Sequence, residues 1–489
     1  MAQELSEDQY RAQRIENRAK LEAAGYAPYG RAFARTGTLQ ETRAGFAEGK
    51  AAAVAGRIQT KRRMGKLMFI HLNDGSDAFQ ILLKRDEVGE EAYNAAKLLD
   101  LGDIIGVKGT LFTTQAGEQT VAVAEWELLS KAIRQPPEKW HGLQNTEDRY
   151  RRRYLDLMSN PESRKRFDAR HKILLGIRNF LSSRGFVEVE TPIMQPQAGG
   201  AAAKPFVTHH NALDREMVLR IAPELYLKRL LVGGFDKIFE LGKDFRNEGI
   251  DRTHNPEFTV LEVYEAYGDR TSMKNLVEGL LPYLCDTVLG SRQVAYGSGE
   301  EKTVINFEPP YREVAQQDLI KERMGEDWFT LDYEAAKARA VEQGLQLTPE
   351  IVDMLTLSHE VYDKLIERTL MQPTFVTRIP KQYVPLAKAC PDDPELVDVF
   401  EFVVAGRELC PGYTEQNNPD AQREAFARQV EADAEPLDQD FVEALEYGMP
   451  PTGGLGMGID RLVMFLTGTE AIRDVLLFPQ MKEGGAASA

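Results

Sequence analysis

An α+β chain in two parts is the fold the sequence predicts: a small β-barrel, then a larger domain built on an antiparallel sheet flanked by helices. Three observations predict it. Within residues 51–133, short β-type runs at 53–58, 67–72, 78–83, 104–111 and 120–129 alternate with Gly, Asp and Thr turns, and Asn73-Asp74-Gly75-Ser76 is the strongest of those turn signals. Gln135-Pro136-Pro137-Glu138 reads as a linker. From 146 onward helix-like and strand-like segments mix without the βαβα alternation of a parallel sheet.

Taken in order, residues 1–50 form an N-terminal extension. Its stretch 4–24 is rich in Glu, Arg, Gln and Ala, which favours a surface helix. Residues 51–135 form the barrel, and the OB-fold is the commonest five-stranded barrel that binds nucleic acid. Residues 136–145 are the linker, and 146–489 the larger domain. Within it 310–385 looks like a helical insertion.

Acidic residues number 76 and basic residues 60, a net charge of −16. That argues against nonspecific nucleic-acid binding driven by bulk charge, while leaving room for local basic patches. Two such patches are present, Lys61-Arg62-Arg63-Met64-Gly65-Lys66 and Arg149-Tyr150-Arg151-Arg152-Arg153. Cys285, Cys390 and Cys410 form no CxxC pair, and no HExxH spacing exists, so a structural zinc site is not expected. Apolar runs stay well short of the roughly 20 residues of a membrane span. The polar N-terminus has no apolar stretch of the signal-peptide kind. A cytoplasmic protein without a membrane partner is expected.

Three constellations carry chemistry. First, Phe245-Arg246-Asn247-Glu248 leads through a polar loop to His254-Asn255-Pro256-Glu257-Phe258. With strands on both sides, Phe258, Val260, Glu262 and Tyr264 share one face, and Arg246 and Glu248 share a face of the preceding strand. An aromatic, a carboxylate and a phenol in a row suit a pocket, and the rigid fork of Arg suits phosphate. A half-exposed sheet face is the plainer alternative. Second, Gly453-Gly454-Leu455-Gly456-Met457-Gly458-Ile459-Asp460-Arg461 lets backbone approach a ligand closely, yet fits neither GxGxxG nor a P-loop. Third, Phe400–Glu408 reads as a hairpin turning at Val404-Ala405, which sets Glu401 opposite Glu408. Like charges so placed repel, unless both point to water or a hard cation such as Mg²⁺ lies between them.

The first constellation resembles the second signature motif of class II aminoacyl-tRNA synthetases. Gly456-Met457-Gly458-Ile459-Asp460-Arg461 resembles the third, and Arg184-Gly185-Phe186-Val187-Glu188-Val189-Glu190-Thr191-Pro192 the first, which lies at the dimer interface in that class. A barrel ahead of these motifs marks the subgroup charging lysine, aspartate or asparagine. Within it the chain is similar to the bacterial lysyl-tRNA synthetases from about residue 5 to residue 482. Long stretches such as 205–213 and 220–230 carry that likeness.

The resemblance implies lysine activation by ATP, then transfer to tRNA(Lys), in a homodimer. It also implies magnesium ions, up to three per subunit. Arg246 would contact the α-phosphate and Phe258 stack on adenine, with Glu248 and His254 seating the nucleotide and Arg461 gripping its other end. Glu401 and Glu408 match the magnesium ligands. Gly200 and Glu224 match the residues holding the α-amino group, and Glu262, Tyr264, Tyr413 and Glu415 the side-chain pocket. Arg62, Phe69, Gln80 and Glu125 match anticodon-reading positions. A lysine ammonium needs several acceptors once desolvated, whereas an aspartate would call for Arg or Lys. That weighs against the aspartyl or asparaginyl alternative. A lysyl-transferase modifying an elongation factor is the other alternative, and those relatives lack the barrel. One departure stands out: three residues after Glu408 the family pattern has Asn, and this chain has Pro411.

Overall fold

The computed structural model describes residues 6–137, 143, 145–297, 302–433 and 438–482, the side chains of 428–433 excepted. The chain forms two compact units, 1–161 and 162–489. Much of the expected linker, and the tail, lie outside the described residues.

The first unit opens with the helix Glu7–Ala23, started by a Ser6–Gln9 capping box. Five strands then close a barrel in the order β1-β2-β3-β5-β4: β1 (Ala51–Met64), β2 (Leu67–Asn73), β3 (Ala78–Lys84), β4 (Ile104–Thr113) and β5 (Gln119–Ser130). Each contains one of the expected runs. Period-two alternation explains the closure: Met68, Ile70 and Leu72 of β2 and Phe79, Ile81 and Leu83 of β3 all enter one core. At roughly 1.5–3 kcal/mol for each large apolar side chain fully buried, this core holds the barrel together. The basic patch 61–66 caps the β1–β2 hairpin, whose turn residue Gly65 has φ 60°. The patch at 149–153 behaves differently. Arg149 and Arg153 both bind the buried Asp156, at 2.9 and 2.8 Å, and Arg151 pairs with Glu147 at 2.6 Å.

In the second unit, β6 (Val187–Glu188) follows the long helix Pro161–Ser182. A small sheet comes next: β7 (Met194–Gln195), β8 (Val207–His210) and β9 (Arg215–Leu219). The main strands β10 (Lys237–Phe245) and β11 (Glu257–Ala266) precede a two-stranded ribbon, β12 (Gln293–Tyr296) with β13 (Thr303–Asn306). β14 (Arg312–Ala315), β15 (Thr374–Pro380), β16 (Leu396–Val404), β17 (Arg407–Thr414) and β18 (Thr452–Gly458) complete the set. Among the described residues the main sheet has the order β14-β15-β16-β17-β18-β11-β10-β6. It is antiparallel except at its two edges, where β14 joins β15 and β6 joins β10 in parallel. Segment 310–385 is thus not purely helical, since it supplies the strands β14 and β15 around its helices.

One face of this sheet is covered by the helices Pro161–Ser182, Arg270–Leu284 and Ile459–Leu466. Ile173, Ile177, Phe180 and Leu181 recur at helical spacing and join Leu276, Leu280, Phe402 and Met457 in the largest core. On the other face the strands carry polar side chains, and there the site lies.

Candidate active site

The β10–β11 pair is joined by the loop 246–256. Its first residue, Arg246, is held by its N–H to the Pro256 carbonyl at 2.8 Å. Glu248 lies in this loop, exposed, and not on the strand as its spacing suggested. The chain turns at once after Phe245, since the Glu248 N–H closes back on the Arg246 carbonyl at 2.9 Å. On β11 the alternation holds: Phe258, Val260, Glu262 and Tyr264 share a face, opposite Asp244, Gly242, Glu240 and Ile238 of β10. The start of β11 is fixed by Asp460, which accepts the Thr259 N–H at 2.8 Å and an Arg170 N–H at 2.6 Å.

β18 lies beside β11 and puts Gly454, Gly456 and Gly458 opposite Tyr264, Glu262 and Val260. Side chains there would fill the site. A Cβ at Gly454 would sit 1.7 Å from Glu415 Oε1 and 2.7 Å from the Tyr264 ring, and one at Gly456 3.0 Å from Glu262. The glycine run is therefore the floor of a groove.

The β16–β17 hairpin corrects one expectation. It turns at Ala405-Gly406, both at positive φ (52° and 70°), and not at Val404-Ala405. Two positive φ values define the I′ turn that suits a two-residue hairpin. Val403 therefore faces Glu408, and Glu401 faces Pro411. A bulge between Phe402 and Val403 adds one more residue on β17, which carries Glu401 past Cys410 to Pro411. Glu401 and Glu408 still share a face, since Val403 lies two residues from Glu401. Each raises the other's electrostatic cost. Burial, Glu408 and Glu367 push the Glu401 carboxyl well above the usual range. Burial also raises that of Glu408, against Arg461 and Arg246.

Around them stand two arginines and a histidine. Arg461 donates to the Glu408 carbonyl at 2.7 Å and meets His254 Nε2 at 3.2 Å. His254 is held by Asp251 at 2.7 Å. The Arg246 guanidinium lies 5.1 Å from the Phe258 ring centre, and its buried Nε has no hydrogen-bond partner. An unpaired buried donor is costly, so it marks a place for an acceptor. Two hard carboxylates suit Mg²⁺, which binds through one or two carboxylates plus phosphate oxygens. Among the described residues no group of three or more His, Cys, Asp or Glu converges in a metal-holding arrangement.

At the other end of the groove the acids are closed in. Gly200 (φ 85°) brings its backbone against Glu224, where a Cβ would meet the Glu224 Cβ at 3.3 Å. Tyr264 donates to Glu262 at 3.0 Å. Burial, then Glu224 and Asp244, raise the Glu262 carboxyl well above its ordinary range. Burial and nearby acids do the same to the hydroxyls of Tyr264 and Tyr413. Glu415 is pushed up to about 7 by burial, despite Lys228.

Sequence reasoning missed several neighbours. Arg220, buried on the face of the sheet that carries Glu262, binds Glu240, Asp244 at 2.9 Å and the Lys243 carbonyl at 3.0 Å. Glu367 accepts the Glu408 N–H at 2.9 Å. Lys228 reaches both Glu224 and Glu415. The Glu224-to-Lys228 spacing of four on a helix was a readable signal; its burial was not.

In the barrel, Arg62 pairs with Phe69, and Phe69 with Leu82. Gln80 occupies the next rung of that face beside His71. It accepts from Thr120 at 2.9 Å and donates to Glu118. Glu125 lies further along β5, opposite Lys108. Arg62, Phe69 and Gln80 thus form one surface, and Glu125 lies beyond its edge.

A nucleic-acid-type barrel ahead of a glycine-floored antiparallel sheet is the architecture of a class II synthetase. A family model described as tRNA synthetases class II (D, K and N) matches residues 145–482, and one described as OB-fold nucleic acid binding domain matches 52–129. Curated relatives named lysine–tRNA ligase are similar over nearly the whole chain. That of Pelotomaculum thermopropionicum is 48% identical, covering 96% of this chain and 94% of its own. Those of Syntrophomonas wolfei and Lactococcus lactis are each 46% identical, covering 98% and 96% of this chain and 98% and 97% of their own. The chain belongs to the lysine–tRNA ligase family of class II tRNA synthetases. Among the described residues no helix is long and apolar enough to cross a membrane.

Proposed function

We propose that this protein joins lysine to tRNA(Lys) in two steps. The lysine carboxylate attacks the α-phosphorus of ATP, and the bond to the leaving pyrophosphate breaks, giving lysyl-adenylate. The terminal 3′-hydroxyl of tRNA then attacks the carbonyl carbon, loses its proton and releases AMP. No protein nucleophile is needed, since positioning and charge neutralisation lower such barriers.

Arg246 neutralises the α-phosphate, and its unpaired Nε supports that role. Phe258 stacks on adenine, His254 and Arg461 hold the far phosphate end, and Glu248 seats the nucleotide from its loop. Glu401 and Glu408 would hold magnesium, which would supply charge neutralisation at the phosphates. Gly200 and Glu224 take the α-amino group, and Glu262, Tyr264, Tyr413 and Glu415 surround the side-chain ammonium. The observation that carries the substrate is the buried acidic pocket of Glu224, Glu262 and Glu415. Burying three carboxylates is unfavourable unless cations meet them.

Arg62, Phe69 and Gln80 read the anticodon, with Glu125 at the margin; an aromatic shelf flanked by polar groups suits splayed bases. The second unit pairs with a copy of itself near 184–192, where Val187, Ile193, Met194, Val207 and Leu213 are exposed. A patch of this kind marks an interface. A cytoplasmic location goes with this role. ATP–pyrophosphate exchange against all twenty amino acids tests the reading. L-lysine should drive exchange, and a stronger response to another amino acid would overturn it.

A further inference from the structure

Lys228 has no part in the chemistry described so far, yet it lies at the centre of the acidic pocket. Its Nζ is fully buried, 2.6 Å from Glu224 Oε1 and 2.5 Å from Glu415 Oε2. The helix Glu224–Val232 brings Glu224 and Lys228 together one turn apart. Glu415 arrives just after β17, its N–H held by the Thr452 carbonyl at 2.9 Å.

We propose that Lys228 is a positioning residue that sets which amino acid the pocket accepts, by tying the α-amino ligand Glu224 to the side-chain ligand Glu415. This rests on the function proposed above. One nitrogen in contact with both carboxylates keeps the two bound oxygens within about 5 Å of each other. The spacing between the groups meeting the two ends of the amino acid is thereby fixed. Both Glu415 oxygens are buried without a hydrogen-bond partner: Oε2 is in ion-pair contact with Lys228, while Oε1 lies over Gly454, which has no Cβ to cover it. That oxygen is left for an incoming ammonium.

The same contact sets the charge. Glu224, Glu262 and Glu415 bring three carboxylates, and Lys228 answers one. The two left over match an amino acid with two ammonium groups. A neutral side chain would strand a carboxylate in the dry pocket, which is costly. A diamine of another length would meet one of the two ends with poorer geometry. Without Lys228, Glu224 and Glu415 repel, Glu415 takes a proton more readily, and the pocket loses both its span and its charge. The titratable groups facing Glu415 are Glu224 and Lys228 on the helix, Glu262 and Tyr264 on β11, and Tyr413 on β17. Burial already holds Glu415 up at about 7 with Lys228 present.

The full-length Lys228→Met and Lys228→Arg variants test this, with pyrophosphate exchange driven by lysine or by ornithine, which is one methylene shorter. In Lys228→Met the lysine KM should rise about a hundredfold at neutral pH, with kcat changed far less. That KM should fall back as pH is raised, because Glu415 must lose a proton to bind. Preference for lysine over ornithine should fall about tenfold, the order set by one methylene. Lys228→Arg should restore the pH profile and keep the loosened preference, since it returns the charge and not the length. If Lys228→Met keeps the wild-type pH profile and preference, the proposal is overturned. If Lys228→Met does not fold, Lys228→Arg decides: wild-type KM and preference there would overturn it equally. Failure of lysine to drive exchange in the wild type is a separate result and defeats the function itself.

Discussion

The groove holds two groups of buried acids, and they differ in one respect. Glu401, Glu408 and Glu367 crowd together, with no lysine paired to them among the described residues; Arg461 acts on Glu408 and Glu367, and Arg246 on Glu408. Glu224, Glu262 and Glu415 are crowded too, but Lys228 is built into their midst. An external cation would complete the balance of the first group, and its oxygens are of the kind magnesium prefers. The second is partly balanced in advance, so what it accepts must bring a defined number of positive charges. Burial of like charges is thus one physical cause with two uses, and the presence of an internal ammonium distinguishes them.

The largest expected effect lies in the first group. Glu408→Ala should lower pyrophosphate exchange by at least about a hundredfold, the order seen when one transition-state charge partner is removed. A variant with wild-type exchange and an unchanged magnesium requirement would remove Glu408 from the metal site. Glu401→Gln should at the same time raise the melting temperature of the free protein, because it removes a buried carboxylate that no Lys or Arg side chain contacts.

In the second group, Glu262→Gln should raise the lysine KM on the order of a hundredfold or more, as breaking a buried charge pair does. An unchanged KM would mean that Glu262 is not a side-chain ligand. The contrast between groups was partly legible. The face shared by Phe258, Glu262 and Tyr264 follows from period two and was read directly. The barrel strands are legible for another reason: short β-type runs are separated by Gly, Asp and Thr turns. The hairpin at Glu401 and Glu408 was read one residue early. Gly406 is the available signal, since Ala-Gly can supply two positive φ values, but the bulge that sets Glu401 opposite Pro411 leaves no mark in the sequence. Lys228 was invisible for another reason: a helical Glu-to-Lys spacing usually means a solvated pair, and only the packing of Glu415 against it shows a buried one.

The two groups should also separate by pH. Glu415 has a folded value of about 7 against 4.5 for the free side chain. A raised carboxyl contributes stability that is fully present below about 4.5 and is lost as pH rises through about 7. The melting temperature of the free protein should therefore fall across that window, and the slope should shrink in Glu415→Gln. Saturating lysine should flatten it, because an ammonium favours the ionised acid. Melting curves with and without lysine at several pH values measure this, and a slope unaffected by lysine would place the ammonium elsewhere.

A smaller effect is expected away from the groove. Phe69→Ala should slow tRNA charging by roughly tenfold, since stacking on one base is worth about 1–3 kcal/mol. Pyrophosphate exchange without tRNA should be unaffected. Equal losses in both assays would point to a folding defect and not to RNA contact.

The smallest effect concerns the residue at the boundary between the two groups. Pro411 pairs with Glu401 across the β16–β17 ladder and shares a face with Tyr413, two residues on. Proline has no N–H for a ladder and is confined within sheets to edges and bulges. Here it follows the bulge at Glu408–Cys410, where pairing is already interrupted. The backbone thus tolerates proline at a central strand. The pocket loses the side-chain acceptor that Asn would present. One hydrogen bond to a charged group is worth about 1.5–3 kcal/mol, but Glu262 and Glu415 remain, and two carboxylates dominate the hold on a cation. Lysine should therefore be the substrate of the natural enzyme, with a pocket somewhat more tolerant of lysine analogues. Pro411→Asn should tighten lysine by about tenfold, the low end of that range, and reduce exchange driven by analogues. Its effect should appear in KM and not in the magnesium requirement, because the side chain it adds is a neutral amide beside Glu401. A variant that shifts the magnesium requirement while leaving lysine KM unchanged would assign position 411 to the metal group instead.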